Sequence, residues 1–151
     1  MRKPVVILAA ALALSCAHTG EVDIAILAGG SDEAIWEGGQ KAAQRRDWEV
    51  ARKHYKRIID GFPQSTFGAR ARLALADSHF NEGGTANYIL AISEYRDFLT
   101  LYPSQADSAY AQFQVGEAYF KQRNSADRDQ TPTQKALEEY QRLLELYPDS
   151  R

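Results

Sequence analysis

The 151-residue sequence predicts an all-α protein, a solenoid of three helix pairs with extended inter-helix loops. Three observations predict it. The segments ARKHYKRIIDGFP, AISEYRDFLTLYP and ALEEYQRLLELYP, beginning at Ala51, Ala91 and Ala136, superimpose without a gap, as stacked supersecondary units do. In each, the alanine is followed at offset 4 by Tyr55, Tyr95 or Tyr140, at offsets 7 and 8 by an apolar pair, and at offset 11 by Phe62, Tyr102 or Tyr147. Those offsets fall on one stripe of an α-helix, where the small alanine admits a neighbouring helix and the tyrosine fills the space beside it. Pro63, Pro103 and Pro148 then close the segments, because proline lacks an N–H and restricts the residue before it.

The elements follow in chain order. Arg2 and Lys3, the uncharged run Pro4 to Leu14, and the small residues Ala13 and Ser15 have the layout of a signal peptide over residues 1–15. A membrane-spanning helix needs about 20 apolar residues, and charges and Gly20 interrupt this run too early. The ending Leu12-Ala13-Leu14-Ser15-Cys16 resembles the lipobox of bacterial lipoproteins, which makes Cys16, the single cysteine, a lipid attachment point. Ala13-x-Ser15 also satisfies ordinary cleavage after Ser15, which leaves a free thiol instead. By resemblance to lipoprotein sorting rules, Ala17 is consistent with onward transport to the outer membrane. No second cysteine exists to form an internal disulfide. Residues 16–31, with Gly20, Gly29, Gly30 and the short apolar run Ile24 to Leu27, read as a flexible tether.

From residue 32 a first helix precedes each repeated segment. AIWEGGQKAAQRR, ARLALADSHFNEGG and AQFQVGEAYFKQR align with Gly39, Ala76 and Gly116 at one small position, and Ala42, His79 and Tyr119 share a core register three residues later. Such pairs resemble the tetratricopeptide repeat, and divide residues 32–151 into units of about 32–64, 65–104 and 105–151. The spacing from small residue to alanine is 12, 15 and 20 residues in the three units, so the later two carry insertions, Gly83-Gly84-Thr85 and NSADRDQTP, read as loop. Thr131, Pro132 and Gln134 fit a capping box that starts the last helix. Capping does not account for Asp127-Arg128-Asp129-Gln130. The lipobox, the helices joined by YP-x-S connections and the Asp127-Arg128-Asp129-Gln130-Thr131 loop together resemble the BamD family of outer-membrane protein assembly lipoproteins. That family has about five repeats, so the three here are expected to be the N-terminal part of a longer array.

Chemistry at a site finds little support. A formal charge of −2 with 25% charged residues offers no basic excess for nucleic acid. His18, His54 and His79 lack metal-ligand spacing and are read as satisfied or solvated, and no serine or glycine pair has a catalytic or phosphate-binding setting. No metal, cofactor or enzymatic activity is expected. Glu138, Glu139, Arg70 and Arg72 read as solvated helix-face charges, and Arg96 as the exposed neighbour of a buried Tyr95.

Binding has a pattern. Superimposing the first helices matches Glu33, Gln40 and Gln44 with Arg70, Asp77 and Asn81, then with Tyr110, Glu117 and Lys121. Trp36, Leu73 and Phe113 share a position beside that face, equally suited to pockets for a ligand or to core between units. In tetratricopeptide arrays first helices line the groove, so the resemblance implies an extended peptide as ligand. By the family resemblance, the partners are unfolded β-barrel precursors, the barrel-forming assembly subunit and accessory lipoproteins, with the membrane met through the lipid anchor alone. The alternative is a scaffold lipoprotein that organises other cell-envelope or cell-wall factors. Leu137, Tyr140, Leu143, Leu144 and Tyr147 form a stripe on the last helix that a following unit would cover.

Overall fold

The structure, a computed structural model, describes residues 30–150. Cys16, the signal peptide and the tether up to Gly29 lie outside the described residues. Six helices follow one another: α1 (Asp32–Gln44), α2 (Trp48–Gly61), α3 (Gly68–Glu82), α4 (Thr85–Leu101), α5 (Ser108–Lys121) and α6 (Thr131–Leu146). Among the described residues there is no strand, and each helix packs chiefly on its neighbours in sequence, as in a tetratricopeptide-like solenoid.

The repeated second helices α2, α4 and α6 do bury their alanines: Ala51 and Ala91 are fully enclosed and Ala136 nearly so. Tyr55 and Tyr95 anchor two apolar clusters, one around Ile35, Ile58, Ala71 and Leu75, the other around Ala91, Phe98, Ala111 and Val115. The small position of the first helix answers to the tyrosine. A Cβ added to Gly39 would stand 2.6 Å from Tyr55 Cε1, and one added to Gly116 would stand 2.5 Å from Tyr140 Cε1. Glycine there lets an aromatic ring lie against a helix backbone, which offsets its helix-propensity cost of about 1 kcal/mol.

Helix ends repeat as faithfully as helix faces. Phe62, Tyr102 and Tyr147, each before a proline, are caps with φ near −133° and ψ of 66°, 55° and 58°. Their N–H groups bond the carbonyls of Ile58, Phe98 and Leu143 at 3.0, 2.8 and 2.9 Å. At the start of α1, Ser31 Oγ accepts from the Ala34 N–H, and Asp32 and Glu33 complement the positive end of the helix.

Three expectations are corrected. The first insertion is loop at Gly83 and Gly84 but not at Thr85, and the added length goes into helix: α4 begins at Thr85, a turn earlier relative to Ala91 than Trp48 is to Ala51. Gly83 and Gly84, at φ 78° and 87°, make the sharp connection that allows it. The capping box does not form, because Thr131 is already helical. Its N–H and hydroxyl both donate to Asp129 Oδ1, at 2.9 and 2.6 Å, so a carboxylate two residues upstream caps α6. Finally, Glu139 is not a solvated charge. It is 6% exposed and accepts hydrogen bonds from Arg96 Nη2 on α4 at 2.6 Å and from Gln112 Nε2 on α5 at 2.8 Å.

Candidate functional site

The first helices α1, α3 and α5 present the expected polar column, and its middle rung is spoken for. Gln40 Nε2 donates to the Tyr55 hydroxyl at 3.1 Å, Asp77 Oδ1 accepts from Tyr95 and Tyr110 at 2.6 and 3.0 Å, and Glu117 Oε1 accepts from Tyr140 at 2.6 Å. In every unit, then, the residue after the small position meets the hydroxyl of the tyrosine that lies on it. Burial, followed by the charge of Asp77, pushes the Tyr55 hydroxyl up to about 12 and that of Tyr110 to about 12. Asp77 itself is raised by burial, against the two tyrosine hydroxyls that favour its charged form.

Between α1 and α3 this face opens into a groove of about 310 Å³, which gathers Gln40, Gln44, Asp77 and Asn81 with Trp48, Tyr55 and Ala74. Gln44 and Asn81 are exposed. Trp48 was missed by reading first helices alone; its signal is its place beside the Asp47 cap at the start of α2. Tyr110 and Phe113 line a second depression of about 520 Å³ with Leu143. Glu117 and Lys121 line neither.

Of the shared apolar position, Trp36 is half-buried, its ring 5.6 Å from Phe67 and 5.7 Å from Tyr55. The Arg70 guanidinium lies over it at 4.9 Å, so Arg70 is exposed but not merely solvated. Leu73 packs against the second cluster. Phe113 is 41% exposed, with its ring 5.9 Å from Tyr140. The position thus belongs to the rim of the core in the first two units and is open in the third.

The loop before α6 is held by its own hydrogen bonds. Gln130 Nε2 donates to the carbonyls of Ser125 and Arg128 at 2.8 and 3.0 Å, and Asn124 Nδ2 to that of Asp129 at 3.0 Å. Asp127 and Asp129 are held below the usual carboxylate range first by side-chain hydrogen bonds, from Ser125 and Thr131 respectively. Asp129 and Thr131 form one wall of a groove of about 610 Å³ against Ile89, Ile92 and Arg96 of α4, with Tyr119 and Lys135. Arg128 and Asp127 stay exposed and do not line it.

The described residues hold no group of three or more His, Cys, Asp or Glu that could bind a metal, and no helix among them is long and apolar enough to cross a membrane. What they define is a tetratricopeptide-like helical array with a polar, tyrosine-braced groove. Residues 29–151 match the YfiO family, described as outer membrane lipoprotein, and the chain belongs to that family. It is similar to the outer membrane protein assembly factor BamD of Caulobacter vibrioides, with 24% identity over 144 residues, 95% of this chain. The match takes in 46% of that relative, so the chain spans about half its length.

Proposed function

We propose that this chain is an outer-membrane protein assembly factor, anchored through a lipid on Cys16 and facing the periplasm. Its groove binds extended segments of unfolded β-barrel precursors and its other surfaces meet fellow assembly subunits. The carrying observation is the groove between α1 and α3, with exposed Gln44 and Asn81 at its sides in a chain of the YfiO family. Side-chain amides there suit an unpaired peptide backbone, which carries both N–H donors and carbonyl acceptors. The tyrosine hydroxyls behind them fix the groove wall, so little ordering is left to the moment of binding.

Two measurements test the reading. A photo-crosslinking residue at Gln44 or Asn81 should capture a peptide copying the aromatic-rich terminal segment of a β-barrel precursor, whereas one at Lys53, on α2, should not. Capture of cell-wall enzymes in cells, without precursor or barrel-forming subunit, would sink the assembly role and favour the scaffold. Cys16→Ser should move the protein out of the membrane fraction, since each acyl CH₂ contributes about 0.8 kcal/mol of membrane affinity. Sedimentation with the outer membrane at high salt despite that change would rule out the lipid anchor.

A further inference from the structure

Counting three residues on from the alanine of each second helix gives His54, Glu94 and Glu139. The two glutamates each have cations nearby. Glu139 takes Arg96, and Glu94 is raised by burial and Asp97 against the pull of Lys56 and Arg72. His54 has no such company. It is 4% exposed, and its Nδ1 is buried without a hydrogen-bond partner. The ring presses so closely on α1 that a Cβ on Gly38 would stand 2.6 Å from Cε1 and 3.0 Å from Nδ1. The counterparts of Gly38 are Leu75 and Val115, so α1 alone is thinned at this point to seat an imidazole.

A second imidazole, on α3, stands near the cations of α2. His79 Nδ1 on α3 is likewise buried and unpartnered. Burial, then Arg52 of α2, lowers its pKa, with Lys56 of α2 adding a little, against the opposing effects of Asn87 on α4 and Glu82 on its own helix. The pKa of His54 is lowered by burial, opposed by the Ile35 backbone of α1. The charged pair nearest in sequence on α1, Glu37 and Lys41, is exposed and joined to itself at 3.7 Å. Protonation would charge an enclosed ring whose Nδ1 has no hydrogen-bond partner and which the Ile35 backbone alone favours, a cost that opening of the interface removes.

We propose that the first helix pair is an acid-sensitive clasp, in which protonation of His54 lifts its ring from Gly38 and frees α1 while α4 to α6 stay folded. Freed with α1 are Gln40 and Gln44, so the clasp governs whether that wall of the groove exists. A histidine whose pKa is lowered by folding gives its full stabilisation above the ordinary value of about 6.5, and the stabilisation is lost as pH falls from there through the lowered value.

The test uses the full chain and needs no peptide, so it stands apart from the binding reading. Histidine resonances followed from about pH 7.5 to about pH 5 should show His54 titrating below the ordinary range. Hydrogen exchange, corrected for intrinsic rates, should show opening of residues 32–44 increasing about tenfold per pH unit in the window between the two pKa values. Residues 90–120 should not follow. In His54→Gln the pH dependence of α1 should vanish. Titration of His54 at or above the ordinary value, or undiminished protection of α1 at the acid end, overturns the clasp. If His54→Gln does not fold, the titration and exchange of the unaltered chain decide alone.

Discussion

A glycine can be worth more than its propensity when a ring needs its backbone. Gly116→Ala adds a Cβ that would sit 2.5 Å from Tyr140 Cε1, between two helices with no flexible side-chain end to yield. We expect a loss of about 1–3 kcal/mol in thermal or denaturant unfolding, from overpacking that outweighs alanine's better propensity. Gly61→Ala meets only the mobile Arg57 side chain, at 3.5 Å, and should be neutral or slightly stabilising. If Gly116→Ala proves the more stable of the two, the ring does not lie on that backbone. The small-residue column and the tyrosine column were both legible in the sequence, because each repeats at fixed offsets along one helix. Their hydrogen bonds were not. Gln40 to Tyr55, Asp77 to Tyr95 and Glu117 to Tyr140 are separated by 15, 18 and 23 residues, so the pairing appears only once the connections between helices are known.

At the scale of elements, the units are joined by a polar seam that sequence reading misassigned. Glu139 looks like one of two adjacent acids on a solvated face, yet the helix turns it inward between α4 and α5 while Glu138 stays exposed. Arg96 looks expendable for the same reason: its side chain is 48% exposed, but its guanidinium reaches the buried carboxylate. A double-mutant cycle of Arg96→Ala and Glu139→Gln, read by chemical denaturation, should give a coupling of about 1 kcal/mol, held down by solvent screening on the arginine side. Glu139→Ala should cost more than Arg96→Ala, because it removes the carboxylate from Arg96 and also from the buried Gln112 amide, which keeps only the backbone carbonyl of residue 139 at 3.1 Å; a hydrogen bond to a charged group is worth about 1.5–3 kcal/mol. Strict additivity of the pair would mean that the seam is not formed in solution. The loop before α6 was legible as an insertion, whereas its cap was not: the capping-box pattern selects Thr131, but the backbone makes Thr131 helical and turns the Asp129 carboxylate onto its N–H.

For the whole molecule, stability in a solenoid is the sum of units and the interfaces between neighbours, so helices differ by what lies on each side. One residue on from its alanine, α4 carries Ile92 at 6% exposure under α5, and α6 carries Leu137 at 59%. Leu144 and Leu146 are 70% and 59% exposed, so no described helix covers that side of α6. Equivalent substitutions should therefore have unequal effects. Ile92→Asn removes a buried apolar side chain at the joint of two units and should cost about 2–5 kcal/mol, in the range of large-to-small core changes with a polar group added. Leu137→Asn should change stability by no more than about 0.5 kcal/mol, as at an ordinary surface position. Hydrogen exchange of a verified monomer should show α6 opening well before residues 90–120, because it is held from one side alone. Equal protection of α6 and α4, or equal losses for the two asparagine variants, would mean that the outer side of α6 is covered in solution, and the one-sided support inferred for this helix would be wrong.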